Sequence, residues 1–445
     1  MPSTTSDSID QASFARQIGM KAFRLMLTAD ALATAYEAHK DRTAKYVHAT
    51  SRGHEAIQLA MGLQLKPQDF VAPYYRDDAL LLGMGITPYE LMLQIFAKRE
   101  DIFSGGRTYY SHPSLRRDGF PKIPHQSSST GMQVIPITGV AQGMQYRERQ
   151  GLDQWETQEA PVAVCSIGDG AMTEGEVSEA LQMAALHQYP VLYLVQDNGW
   201  GISAKGSEMY AQNAAEFVKG FHGIESISID GTDFELCYQT IEKVLQTMRE
   251  ERRPFLIHAS VPLLNHHTSG VRQRKRNVRP KCCRVRQRLP WDRKHFDRRD
   301  RLELCYQTIE KVLQTMREER RPFLIHASVP LLNHHTSGVR KEWYRHDLDA
   351  HQPHDPLPRL RHYLQEQGIS EEDLTTLPSV VEQEVLSELE RAYLAEDPRP
   401  EDLMDHIFAP SPITEELGER SPKEASEVMM VDAALHAVDV IMQAH

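Results

Sequence analysis

The run Val162-Ala163-Val164-Cys165-Ser166-Ile167 has almost no polar alternation, which predicts a parallel strand buried on both faces. Beyond it the apolar spacing changes: Leu181, Met183, Ala184 and Leu186 recur at helical intervals. Thr173, with Glu176 three residues on, predicts a capping box at the start of that helix. A second apolar run, Val191 to Gln196, predicts the next strand, and Ser226-Ile227-Ser228-Ile229 a further one. Strands alternating with helices predict an α/β fold with a mostly parallel sheet flanked by helices, in which ligands collect beyond the carboxyl ends of the strands.

The residues at those ends carry the candidate chemistry. Gly168-Asp169-Gly170 follows the first strand, and its glycines allow backbone to approach a phosphate without Cβ interference. The helix N-terminus behind the triplet predicts an anion seat. The second strand delivers Asn198 to the same sheet edge. Magnesium takes few protein oxygens beside phosphate oxygens and water, so one Asp, one Asn and a backbone carbonyl suffice. The triplet alone equally fits an ordinary strand-turn-helix, but the continuation Asp197-Asn198-Gly199-Trp200-Gly201-Ile202-Ser203 narrows it.

Together these residues resemble the signature of thiamine-diphosphate enzymes. The resemblance implies Asp169 and Asn198 as metal ligands through their side chains and Trp200 through its backbone oxygen. The family usually shows Asn-Asn and then Tyr or a similar residue, where this chain has Asp197-Asn198 and Trp200. Three further stretches resemble, in order, the cofactor pocket of the α subunit of branched-chain 2-oxo acid dehydrogenases: Tyr74 to Gly83, Gly105-Gly106-Arg107 with His112, and Gln126 to Gln133. The likeness runs over about residues 20 to 400 and implies a thiamine-diphosphate-binding fold. It assigns cofactor binding to Tyr75, Arg76, His112, Ser128, Gly168, Asp169, Gly170, Asn198 and His267, with Arg76 suited to a bidentate grip on diphosphate oxygens. The neighbours of Ser128 through Gln133 resemble a structural monovalent cation site of the family, with Met132 where Thr is expected. His267, in Leu264-Asn265-His266-His267-Thr268-Ser269-Gly270, takes the catalytic role in acyl transfer, since neutral imidazole moves protons near pH 7. The implied reaction is oxidative decarboxylation of a small branched 2-oxo acid, such as 3-methyl-2-oxobutanoate, with acyl transfer to a lipoyl group. The implied partners are a β subunit, which completes the site, and a lipoyl-bearing acyltransferase core. A pyruvate or acetoin dehydrogenase α subunit shares the metal motif and stands as the alternative.

Glu235 to Arg272 reappear unchanged as Glu303 to Arg340, at an offset of 68, so His335 echoes His267. Solenoid repeats diverge and number at least three, so two perfect copies indicate a duplication in the gene. Between them lies Gln273 to Arg301, with thirteen Lys or Arg against three Asp and the pair Cys282-Cys283. By composition it could be a basic arm for nucleic acid. The genetic code gives another account: residues 204–233, copied and read one base out of frame, can yield every position of the segment, and Met209-Tyr210 forces the codon GTA for Val278. Residues 273–340 are therefore expected to be a frameshifted tandem insertion, and an inactive product of a damaged gene is one reading of the chain.

Charge supports that view. The chain carries −12 in total, so without its basic tract it is strongly acidic, which disfavours nucleic acid as a partner. Of five cysteines, Cys282, Cys283 and Cys305 belong to the extra segment, and nothing points to a disulfide framework or zinc site. With no apolar run of membrane-spanning length and a polar N-terminus from Met1 to Gln11, the chain is expected to be cytoplasmic. The expected organisation is a tail at 1–20, the main domain at 21–410 interrupted by 273–340, a linker at 411–427, and at 428–445 an amphipathic stretch resembling the start of a fused, truncated β subunit.

Overall fold

The computed structural model describes residues 14–43, 48–124, 126–152, 159–201, 204–262, 355–404 and 433–438. The His267 loop, the insertion at 273–340 and the linker lie outside the described residues. Among the described residues the strands are β1 (Phe70–Ala72), β2 (Ala163–Gly168), β3 (Val191–Asp197), β4 (Trp200–Gly201), β5 (Ala204–Lys205), β6 (Glu225–Asp230) and β7 (Phe255–Ser260). Five pair in parallel in the order β1-β2-β3-β7-β6, and β4 pairs antiparallel with β5. The expected α/β architecture is thus present.

The apolar runs are continuous because the sheet is covered on both faces. Val164, Leu192, Leu194, Ile227, Ile229 and Ile257 point into one core, and Ala163, Cys165, Ile167, Tyr193, Val195 and Leu256 into the other. The longer helices are α1 (Met20–Ala38), α2 (Glu55–Gly62), α3 (Asp78–Met84), α4 (Pro88–Ile95), α5 (Val134–Arg149), α6 (Gly175–His187), α7 (Phe234–Glu251), α8 (Pro356–Glu366) and α9 (Glu371–Tyr393). The first core draws on α1 to α4 and α7 to α9, the second on α5 and α6. The sequence of α7 shows why it is a helix. Asp233 caps it by accepting the Leu236 N–H at 3.1 Å, and Leu236, Cys237, Ile241, Val244, Leu245 and Met248 share its buried side. Both α7 and β7 belong to the first copy of the repeat, and β7 lies between β3 and β6.

Two local expectations differ from the structure. Thr173 does not cap α6: residues Gly170–Thr173 wind into a 3₁₀ turn, Thr173 Oγ1 donates to the Gly170 carbonyl at 2.8 Å, and Glu174 becomes the residue before the helix, without a side-chain cap. The hydroxyl bonds backward within its own turn, a common competitor of capping for Ser and Thr. On α6 the buried positions are Val177, Ala180, Leu181, Ala184 and Ala185, whereas Met183 and Leu186 are exposed. The apolar stripe is carried by small residues that let α6 approach α5. Residues 433–438 are helical, with Leu435 and Val438 exposed.

Candidate functional site

Parallel register places Gly168 opposite Gln196, so Asp169 and Asn198 leave adjacent strand ends side by side. They open on a cavity of about 810 Å³. Tyr75, Arg76, His112, Ser128, Gly168, Asp169, Gly170, Asn198 and Trp200 all line it, which brings together every expected site residue that the structure describes. His267 lies outside the described residues. Gly168 packs closely on Tyr74: a Cβ there would lie 3.0 Å from the Tyr74 ring. Arg76 is buried, with Nη1 3.3 Å from the Thr50 carbonyl oxygen and its guanidinium 5.6 Å from the Tyr75 ring centre. His112 is oriented by a 2.8 Å contact from Nδ1 to the Tyr110 carbonyl.

Asp169 is buried at the strand end, and the Tyr210 hydroxyl donates to its Oδ2 at 3.0 Å. Burial, and then the charge of nearby Asp197, hold its carboxyl well above the usual carboxylate range against that hydrogen bond. Asp197 behaves oppositely. Burial would raise it, but the 2.9 Å hydrogen bond and charge from His258 and the Gly199 N–H outweigh burial and hold it low. The pair thus divides unequally: one carboxylate is compensated by protein and the other is left short of positive charge.

Asn198 is held at both ends. Its Oδ1 accepts the Trp200 N–H at 3.0 Å, and its Nδ2 lies 3.4 Å from His54 Nε2. Below it runs a buried polar network. His54 Nδ1 is 2.8 Å from Gln196 Oε1, and Gln196 Nε2 donates to Asp77 Oδ1 at 2.8 Å and Ser166 Oγ at 2.7 Å. Gln58 Nε2 reaches Gln196 Oε1 at 2.9 Å and Asp77 Oδ1 at 3.0 Å. The Tyr74 N–H donates to Asp77 Oδ2 at 2.9 Å.

These donors fit a hard divalent cation beside a diphosphate. Among the described residues no group of three or more His, Cys, Asp or Glu gathers to hold a metal. What the site offers is one under-compensated carboxylate, one amide oxygen and backbone oxygen, the set magnesium takes when phosphate and water complete its shell. His54, Gln58, Asp77, Gln196, Tyr210 and His258 were not singled out from the sequence. The available signal was the placing of Ser166, Gln196 and His258 inside otherwise apolar strands, since a polar residue buried on both sides needs a partner.

Known proteins give the same direction. Residues 20–274 match the model of the family described as "Dehydrogenase E1 component". The chain is 29% identical over 235 residues to 2-oxoisovalerate dehydrogenase subunit alpha 2, mitochondrial, of Arabidopsis thaliana, covering 53% of this chain and 47% of that protein. It is 28% identical over 220 residues to 2-oxoisovalerate dehydrogenase subunit alpha of Bacillus subtilis, 49% of this chain and 62% of the relative. With pyruvate dehydrogenase E1 component subunit alpha of Mycoplasma genitalium the identity is 26% over 209 residues, 47% of this chain and 52% of that one. The chain thus spans about half the length of the curated relatives it matches. A strand-end Asp and Asn over one cavity, and a family match across more than half the sequence, lead to one conclusion: the chain belongs to the dehydrogenase E1 component family.

Proposed function

We propose that this protein is the α subunit of a thiamine-diphosphate-dependent branched-chain 2-oxo acid dehydrogenase. The observation that carries the reading is the emergence of Asp169 and Asn198 from neighbouring strands into a cavity that Arg76 also lines. Asp169, Asn198 and the Trp200 backbone oxygen would hold magnesium, and Arg76 would grip diphosphate oxygens with Tyr75 beside it. When bound, thiamine diphosphate supplies an electron sink for decarboxylation of a 2-oxo acid. His267 would move the proton that accompanies acyl transfer to a lipoyl group. A β subunit completes the site, and an acyltransferase core receives the product.

Two experiments test this reading. Calorimetric titration of the full-length chain, assembled with a β subunit, with thiamine diphosphate in the presence of magnesium should show binding that Asp169→Ala abolishes; equal affinity in the variant removes the central claim. The substrate is tested by carbon dioxide release with an artificial electron acceptor, after mixing the chain with a β subunit. The Arabidopsis and Bacillus relatives are named for 2-oxoisovalerate, so 3-methyl-2-oxobutanoate should be preferred over pyruvate. The Mycoplasma relative is named for pyruvate, and the opposite preference selects that second reading.

A further inference from the structure

The polar network beneath the cavity has a direction, and the direction starts from a group that cannot be reversed. The Arg76 carbonyl can only accept, so the Gln58 amide nitrogen that reaches it at 3.1 Å also donates to Gln196 Oε1 at 2.9 Å, and Gln196 turns its Nε2 toward Asp77 Oδ1 at 2.8 Å. That leaves Gln196 Oε1, which also only accepts, facing His54 Nδ1 at 2.8 Å. His54 Nδ1 therefore carries the proton and donates. In a neutral ring Nε2 is then a bare acceptor, and the group that faces it is the Asn198 Nδ2 amide at 3.4 Å. The other end of that amide, Oδ1, takes the Trp200 N–H and keeps a second lone pair. Each member of the chain is more than nine-tenths buried.

Resting on the functional reading above, we propose that His54 is a positioning residue: its Nδ1–H tautomer, set through Gln58 and Gln196, fixes which end of the Asn198 amide is left to a cation. The placement also explains an otherwise costly arrangement. An imidazole and two carboxamides are buried beside a carboxylate, and satisfying them takes one consistent orientation of all four.

The tautomer can be read without any ligand. In full-length, metal-free protein labelled with ¹⁵N-histidine, the resonances lost in His54→Gln identify His54, and they should show a protonated Nδ1 and an unprotonated Nε2. A protonated Nε2 overturns the proposal. The positioning role is read by magnesium titration at saturating thiamine diphosphate, with the chain assembled with a β subunit. His54→Phe removes the acceptor and should weaken magnesium about tenfold, the effect of one hydrogen bond of ordinary strength. His54→Gln can donate to Gln196 and accept from Asn198, and should stay close to wild type, with both variants unfolding near the wild-type temperature when metal-free. Wild-type affinity in His54→Phe overturns the positioning role while leaving the functional reading intact. A wild-type chain that, assembled with a β subunit, binds no magnesium with thiamine diphosphate defeats the functional reading, and the role of the Asn198 amide with it, whatever the tautomer. Should His54→Phe fail to fold, an affinity in His54→Gln well below wild type is the overturning result.

Discussion

At the scale of single residues, burial governs more of the chemistry than proximity in sequence. Asp78 lies under the cavity with its Oδ1 accepting from the Tyr110 hydroxyl at 3.1 Å, and Tyr36 lies 3.2 Å beyond. Burial pushes its carboxyl up from an ordinary 3.8 to about 7, with the adjacent Asp77 charge adding to it. The folded state therefore holds a proton that the unfolded chain releases, so this contribution is full at low pH and fades as pH rises toward about 7. Asp78→Asn should flatten that part of the profile, gaining on the order of 2 kcal/mol relative to wild type between about pH 4 and pH 8. Urea midpoints at both pH values check this; parallel profiles for the two proteins would show that Asp78 is not the responsible group. Asp169 and Asn198 were legible in the sequence because each sits in a turn whose glycines announce it. His54 was not, since its partners Gln196 and Asn198 lie 142 and 144 residues away. Only folding brings that imidazole to the strand ends, and the sole trace of it in one dimension is Gln196 at the end of an apolar run.

At the scale of elements, close approach is decided by what is missing. α2 and α3 meet at Gly62 and Gly83: a Cβ on Gly62 would strike the Leu80 carbonyl and come within 3.0 Å of Gly83 Cα. Backbone cannot yield as a side-chain tip can. Gly62→Val should therefore destabilise the fold by about 2 kcal/mol or more, read as a lower thermal midpoint, and an unchanged midpoint would mean that the two helices can part freely. The strands were the most readable elements, because an apolar run covered on two faces carries no competing pattern. Helix starts were less so. Thr173 satisfied the capping pattern, yet its hydroxyl was taken by Gly170, since a local turn was closer than the helix it preceded. Met183 and Leu186 kept helical spacing but lie on the outside of α6, where spacing alone cannot tell a buried stripe from its neighbour.

At the scale of the whole molecule, the sheet among the described residues draws on the first copy of the repeat. β7 pairs with β3 on one side and β6 on the other, using residues before 261. Deleting residues 273–340 should therefore leave the thermal midpoint and the cofactor affinity within experimental error of the full chain, by differential scanning fluorimetry and calorimetry; a large loss of either would show that the second copy holds the fold together. The α/β class followed from periodicity, whereas the cover of the first core by α8 and α9 did not, because nothing in an amphipathic helix states which distant surface it meets. That cover joins opposite parts of the chain. Arg24 on α1 pairs with Glu384 on α9 at 2.6 Å, across 360 residues, and Arg42 pairs with Glu390 at 2.7 Å. During synthesis the helix made first must wait for the one made near the end, and at roughly 5 to 20 residues per second the wait is tens of seconds. The 68-residue offset between the repeat copies accounts for several seconds of that wait at the same pace. Throughout, the side of α1 destined for α9 has no cover, so the yield of soluble protein in a cell should depend on chaperone supply and translation speed more steeply than the stability of the finished fold would indicate.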